Sequence, residues 1–153
     1  MKTIDLASQN LRDMFIRSLL LPAAAVDWLL MLWGAIQVFD DVADGDDVKR
    51  YDLDAAIWNT LVAMPQNAFY REHGAVLSGA LATMILKWQA SDQAERDGCA
   101  DAQSYMWRAG FYDVVLLTVQ LCNGADFAHQ RARQVMQMYG EKMEDYLKEF
   151  ENA

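Results

Sequence analysis

The chain has 153 residues, of which 54% are hydrophobic and 23% are charged, with only 2 Pro and 8 Gly. This length supplies one hydrophobic core, and this composition excludes intrinsic disorder and collagen-like repeats, so we expect a single domain over residues 1–153. The 22 acidic residues outnumber the 13 basic ones and give a net charge of -9. Because nucleic-acid affinity rests on cationic neutralisation of phosphates, we expect no nucleic-acid partner.

Helical periodicity runs through almost the whole chain, and no segment alternates as a strand would. The apolar spacing predicts helices over residues 4–20, 23–44, 53–64, 66–97, 102–123 and 126–150. Asp52 and Asp101 are expected to cap the third and fifth helices, and an interruption is expected near Gly74. The predicted fold class is all-α, a compact bundle of five or six helices joined by short turns.

The second predicted helix is apolar on nearly every face, and residues 18–39 are long enough to cross a bilayer. Asp27 lies inside this run, where membrane insertion would cost about 3 kcal/mol. We therefore expect a helix buried on all sides by its neighbours, and no membrane span. No signal-peptide pattern opens the sequence, and Cys99 and Cys122 form no CxxC motif, so we expect a cytoplasmic protein.

The end of this second helix is strongly acidic. From Asp40 to Asp54 there are seven aspartates against Lys49 and Arg50. On a helix, Asp40 and Asp44 are one turn apart with Asp41 beside them, so their carboxylates repel one another and oppose the helix macrodipole. A divalent cation would remove both penalties, and oxygen-only ligands favour Mg²⁺ or Mn²⁺. The alternative is a solvated loop whose aspartates begin turns and cap the next helix.

The sequence Asp40-Asp41-Val42-Ala43-Asp44 resembles the DDxxD motif of class I isoprenoid synthases, and its position after an apolar helix with Trp33 and Gln37 is similar to the squalene and phytoene synthase branch. The resemblance implies an all-α fold in which Asp40, Asp41 and Asp44 bind Mg²⁺ that holds a substrate diphosphate. Trp33 and Gln37, on the same helix, are the candidates for lining the pocket. The departing diphosphate develops charge that metal ions stabilise, and an apolar pocket protects the carbocation from water.

Members of that family are longer and carry a second acidic motif on a facing helix. The candidates for this second metal side are Asp92 with Glu95, one turn apart, and Asp113. As alternatives, Asp92 and Glu95 form an exposed helix end, and Asp113 is a buried acid paired with Arg108 or with a tyrosine hydroxyl.

Three functions are compatible with these features. The first is a Mg²⁺-dependent domain that binds or acts on a small diphosphate-containing molecule, as a transferase or lyase on a prenyl diphosphate if it is an enzyme. Arg131 and Arg133 could then contact a phosphate, and a homodimer could enclose a prenyl tail. The second is an all-α nucleoside triphosphate pyrophosphatase, although that family uses glutamate pairs. The third is a non-catalytic helical accessory or phage-type protein whose acidic patch binds a basic partner.

Overall fold

The structure, a computed structural model, describes the backbone of residues 3–151 and the side chains from Leu6 onward. Within this range every regular element is a helix, and the predicted all-α fold is confirmed. The elements in chain order are α1 (Thr3–Asp13), the π-helix π1 (Met14–Ser18), α2 (Ala23–Asp44), α3 (Arg50–Trp58), the π-helix π2 (Asn59–Ala63), α4 (Met64–Gln66), α5 (Ala68–Arg96), α6 (Ala102–Trp107), α7 (Gly110–Asn123), α8 (Ala125–Gln137) and α9 (Met143–Glu151).

Helix α2 begins and ends where the sequence predicts. Pro22 precedes it, and Gly45 follows it with a φ of 76°, a left-handed conformation that glycine adopts without steric cost. The N–H groups of Gly45 and Asp46 donate to the carbonyls of Val42 and Asp41, which is a Schellman cap. The acidic residues at the end of α2 are therefore held in a defined turn.

Other predicted boundaries differ from the structure. Helix α3 begins at Arg50, so Asp52 lies in its first turn and does not cap it, whereas Asp101 caps α6 as predicted. The predicted helix 102–123 is broken between α6 and α7, and the predicted helix 126–150 is broken between α8 and α9. These breaks, at residues 108–109 and 138–142, are shorter than the window over which apolar periodicity is read, so the periodicity does not reveal them.

The last part of the predicted helix 53–64 is the π-helix π2, and Pro65 explains why the helix widens there. A proline has no N–H group, and its ring would clash with the carbonyl four residues earlier, here that of Leu61. The N–H of Met64 donates instead to the carbonyl of Asn59, five residues earlier, which widens this turn. The widened turn follows directly on α3.

The chain divides into two compact units, the first ending at Gly74 and the second beginning at Ala75. The division lies inside α5, next to His73, whose φ of -115° and ψ of 17° are not helical. The interruption predicted near Gly74 is thereby confirmed. The single domain expected from chain length stays a prediction, and residues 1, 2, 152 and 153 lie outside the described range.

Aromatic rings form the core of the first unit. Trp28 is fully buried, stacks on Tyr70 at 5.9 Å between ring centroids and meets Phe69 edge-on at 5.9 Å. The side-chain oxygen of Asn67 accepts hydrogen bonds from the N–H groups of Phe69 and Tyr70, and its amide donates to the carbonyl of Ala24 at 2.9 Å. One side chain thus joins the start of α5 to the start of α2.

The expectation that α2 is buried on all sides is wrong. Its buried residues are only seven of its 22, namely Ala25, Val26, Trp28, Leu29, Leu32, Ala35 and Val38. Phe39 and Val42 are exposed, and Asp27 is half exposed and pairs with Arg12 at 3.4 Å. By length and composition alone α2 could cross a membrane, and 39% of its most apolar window is buried. The absence of a membrane span stays a prediction.

Close helix packing and a polar network hold the second unit together. Gly110 at the start of α7 lies against Met84 of α5, where a Cβ on Gly110 would stand 2.9 Å from the Met84 Cγ. The hydroxyl of Ser91 donates to the carbonyl of Ser104 at 2.8 Å. The hydroxyl of Ser104 lies 2.7 Å from that of Tyr146, which is fully buried. These bonds connect α5, α6 and α9.

Candidate functional site: an acidic cleft between two helices

A partly open cleft of about 360 Å³ lies between α2, the following loop and α3 in the first unit. Its polar lining consists of Gln37, Asp41, Asp47, Lys49, Asp52 and Asn59, and its apolar lining of Gly34, Ala35, Val38, Val48, Ala55 and Ala56. Ligand pockets usually measure about 300 to 1,000 Å³, so the cleft has room for a small molecule or for the head group of a larger one.

Residues one helical turn apart form the walls of the cleft. They are Gly34, Val38 and Asp41 on α2, Asp52 and Ala56 on α3, and Asn59 at the start of π2. Small side chains on both helices leave the space open between them. The loop that joins the helices adds Asp47 and Lys49 to the lining, so acidic and basic side chains face one volume.

Asp41 carries an electrostatic penalty in this cleft. Burial raises the pKa of its carboxyl group above the ordinary value of 3.8, and the negative charges of Asp40, Asp46 and Asp52 raise the pKa further. The Schellman cap explains why Asp46 raises this pKa. The motif brings the side chain of the residue after the glycine, here Asp46, close to that of a residue in the last helical turn, here Asp41, and this pair is usually apolar. A cation beside Asp41 would favour its charged form and lower the pKa.

The three aspartates of the DDxxD sequence have different surroundings. All lie in the last two turns of α2, but Asp41 lines the cleft, whereas Asp40 is half-buried and Asp44 is exposed, and neither belongs to the lining. Gln37 lines the cleft one turn before Asp41, and Trp33 does not. Their joint role as Mg²⁺ ligands stays a prediction.

The oxygen-bearing side chains of the lining suit a hard divalent cation, one that binds both to the protein and to phosphate oxygens of a ligand. Among residues 3–151, no group of three or more His, Cys, Asp and Glu side chains is arranged so that it could hold a metal ion. Mg²⁺ is commonly bound by one or two carboxylates together with waters and substrate phosphates, rather than by a complete protein cage. Asp41 and Asp52 come from facing helices and interact electrostatically, so they are the first candidates for such carboxylates.

The acids predicted as a second metal side lie in the second unit, where each forms an ion pair. The pairs are Asp92 with Arg96 at 3.0 Å, Glu95 with Arg108 at 3.2 Å, and Asp113 with Lys87 at 2.7 Å. Three different cations thus balance these three charges. A role for these acids as metal ligands stays a prediction.

Two alternative predictions for these acids are wrong. Asp113 is half exposed, because α7 buries the neighbouring Val114 and Val115 instead. Its ion pair is with Lys87 and not with Arg108. Glu95 is not part of an exposed helix end, since its side chain is only 13% exposed and pairs with Arg108. The break between α6 and α7 removes Arg108 from the helix that carries Asp113.

The arginines predicted to contact phosphate lie on α8, also in the second unit. The guanidinium group of Arg131 stands over the ring of Phe127 at 4.8 Å, and Arg133 is exposed. Phosphate binding by either arginine stays a prediction.

Sequence reasoning missed part of the cleft. The sequence predicts Asp47 and Asp52 only as residues that begin a turn or cap a helix, and it does not indicate Lys49 and Asn59 as site residues. The spacing of Asp52, Ala56 and Asn59, each one turn from the next, is a usable signal once α3 is known to begin at Arg50. The contact of this face with α2 depends on tertiary packing, which no local pattern encodes.

No family model and no curated protein matches the sequence, and no solved structure matches the fold. Function is therefore inferred from the fold and the cleft themselves.

We expect Asp41→Asn to stabilise the metal-free protein by about 0.5 kcal/mol at neutral pH, the scale of like-charge repulsion on a helix. A group whose pKa is raised by folding stabilises the native state below its unfolded pKa, and this contribution is lost as pH rises through the folded pKa. The advantage of the variant should therefore be absent in acid and grow as pH rises. Urea unfolding at several pH values, without divalent cations, measures it.

Asp54→Asn is the matched control, because Asp54 pairs with Arg50 at 3.0 Å and does not line the cleft. We expect it to be neutral or slightly destabilising over the same pH range. An equal gain from both variants would mean that net charge, rather than the environment of Asp41, is responsible.

Proposed function

We propose that this chain is a Mg²⁺-dependent helical domain that binds a small diphosphate-containing molecule in the cleft between α2 and α3. The observation that carries the proposal is the lining itself, where Asp41, Asp47, Asp52 and Lys49 surround about 360 Å³. An acidic cleft repels a diphosphate, whereas the same cleft with a divalent cation attracts it. The DDxxD resemblance of the sequence supports the same chemistry.

Each part of the lining has a role in this proposal. Asp41 and Asp52 hold the cation from opposite walls, and Mg²⁺, when bound, supplies the charge that offsets the diphosphate. Lys49 contacts phosphate oxygens as a point charge, and the amide of Asn59 donates hydrogen bonds to them. The apolar walls contact the organic part of the ligand.

The test is calorimetry with inorganic pyrophosphate, in the presence and absence of Mg²⁺. We expect the wild-type chain to bind pyrophosphate only when Mg²⁺ is present, and Asp41→Asn to weaken this binding at least about tenfold, since a charge-assisted contact contributes about 1.5 to 3 kcal/mol. Asp52→Asn should have a similar effect.

Asp54→Asn and Asp44→Asn are informative controls. Asp54 is exposed on α3 and should leave binding within about twofold. A large loss in Asp44→Asn but not in Asp52→Asn would favour the metal arrangement implied by the family resemblance over the cleft. Mg²⁺-independent binding, or no binding, would contradict the proposal.

The other functions stay predictions and are separable by experiment. A nucleoside triphosphate pyrophosphatase would release pyrophosphate from nucleotides, and a prenyl diphosphate enzyme would consume such a substrate in the presence of Mg²⁺. The expected cytoplasmic location also stays a prediction, and Cys99 and Cys122 form no disulfide with one another.

A further inference from the structure

The cleft between α2 and α3 has a charged end and an uncharged end. Asp41 and Asp52 lie on facing helices beside the connecting loop, which adds Asp47 and Lys49 to the lining. All the charged side chains of the lining are therefore at this end. Gly34 lies seven residues before Asp41 on α2, about 10 Å away along the helix axis. A diphosphate held at the charged end directs the organic part of its molecule towards Gly34.

The uncharged end has small aliphatic walls. Ala35 and Val38 line it on α2, and Ala55 and Ala56 line it on α3. The chain has 5 Trp, 6 Tyr and 6 Phe, yet among the described residues no aromatic side chain lines the cleft. Proteins commonly hold unpaired bases by stacking them on aromatic rings, whereas aliphatic walls suit an aliphatic group. The lining therefore favours an aliphatic ligand over a nucleotide.

The fold does not explain the glycine at position 34. Gly34 lies in the middle of α2, where glycine destabilises a helix relative to alanine. Its φ is not positive, and a Cβ at this position would meet no neighbouring group within 4 Å. Gly110 differs, because Met84 occupies the space that a side chain there would need. At Gly34 the open space belongs to the cleft, so a ligand is what would fill it.

We propose that Gly34 is a specificity-determining residue, at which a short aliphatic group of the ligand packs against the bare backbone of α2. The cleft then takes the diphosphate of a small aliphatic alcohol rather than a nucleotide. A side chain at position 34 would occupy the space of this group, so the site needs glycine despite its cost to the helix. The role of Gly34 rests on the proposed function, because binding of the diphosphate at the charged end orients the ligand.

Calorimetry in the presence of Mg²⁺ tests this role with pentyl diphosphate, methyl diphosphate and adenosine diphosphate. Methyl and pentyl diphosphate share one head group, so the ratio of their affinities measures the aliphatic end alone. We expect the wild-type chain to bind pentyl diphosphate at least about tenfold more tightly than methyl diphosphate, the gain from burying about two methylene groups. Adenosine diphosphate should bind no more tightly than methyl diphosphate, because no ring in the lining stacks on its base.

Two variants fill the space at position 34. Gly34→Leu should bind methyl diphosphate within about twofold of the wild type and lose the preference for pentyl diphosphate. Gly34→Ala should reduce this preference and also raise the urea midpoint of unfolding, because alanine favours helix more than glycine does. A gain in stability together with a loss of preference distinguishes a binding role from a structural one.

Gly79→Leu is the matched control. Gly79 also lies inside a helix, and a Cβ there would meet no neighbouring group within 4 Å, but Gly79 does not line the cleft. This variant should keep the wild-type preference for pentyl diphosphate.

Failure of this role and failure of the proposed function give different results. The role of Gly34 is overturned, and the diphosphate site stands, if pyrophosphate and methyl diphosphate bind with Mg²⁺ but pentyl diphosphate has no advantage. The same conclusion follows if Gly34→Leu keeps the wild-type preference, or if adenosine diphosphate binds as tightly as pentyl diphosphate does. If neither pyrophosphate nor any of the organic diphosphates binds with Mg²⁺, both proposals are overturned.

Discussion

Replacing Arg108 by Met should lower the free energy of unfolding by about 3 kcal/mol, the scale of breaking a buried ion pair. Arg108 is 16% exposed and lies 3.2 Å from the Glu95 carboxylate, 3.6 Å from that of Glu141 and 5.2 Å from the centre of the Tyr146 ring. Methionine keeps much of the apolar stem but leaves two carboxylates facing one another without their shared cation. Urea unfolding followed by circular dichroism measures the loss.

The surroundings of Arg108 explain why this loss is not local. Burial raises the pKa of the Tyr139 phenol, and the neighbouring Glu141 carboxylate raises it further, so the phenol stays protonated and donates to that carboxylate at 3.1 Å. Tyr105 donates to the carbonyl of Glu141, and its ring packs against that of Tyr139. Arg108 therefore anchors a connected network that positions the segment before α9.

Arg96→Met is the matched control for Arg108→Met. Like Arg108, Arg96 forms an ion pair, here with Asp92 on the same helix at 3.0 Å. The Arg96 side chain, however, is 70% exposed. Exposed pairs of this kind contribute at most about 0.5 kcal/mol. Similar small losses in both variants would show that the Arg108 network does not support the second unit.

Gly110→Ala should destabilise the protein by about 2 kcal/mol, within the usual range for overpacking a core. The added Cβ would lie 2.9 Å from the Met84 Cγ and 3.3 Å from the Met84 Cα. The second distance involves the backbone of α5, so a change of side-chain rotamer cannot relieve the whole collision, and α7 has to move away. Thermal unfolding of the two proteins provides the comparison.

Gly79→Ala is the matched control, on the same helix α5 as Met84. A Cβ at Gly79 would meet no atom within 4 Å. Because alanine favours helix more than glycine does, this variant should stabilise the protein by about 0.5 to 1 kcal/mol. Effects of the same sign at Gly110 and Gly79 would exclude close packing as the reason for glycine at position 110.

The parts of the fold that local chemistry encodes could be predicted from the sequence. Pro22 and Gly45 define α2, and Asp101 caps α6, because these residues act on their immediate backbone. The interruption near Gly74 belongs to the same class. The breaks between α6 and α7 and between α8 and α9 are shorter than the window over which apolar periodicity is read, so the periodicity did not predict them.

The candidate site was only partly predictable for the same reason. The acidic end of α2 identifies Asp41, but the cleft also needs Asp52 of α3 and Asn59 of π2, which lie across the space from α2. Which face of α2 is buried is equally a tertiary property, since its apolar residues surround the helix. Likewise, Glu95 pairs with Arg108, which lies 13 positions away along the chain, so helical spacing alone does not predict this ion pair.

Diffraction from crystals soaked with MnCl₂ and pyrophosphate tests the central claim most directly, because Mn²⁺ replaces Mg²⁺ at oxygen sites and gives an anomalous signal. We predict an anomalous peak in contact with the Asp41 carboxylate inside the cleft, with density for pyrophosphate beside it. A cleft without such a peak, or Mn²⁺ bound only by Asp40 and Asp44 outside it, would contradict a cation-dependent diphosphate site between α2 and α3.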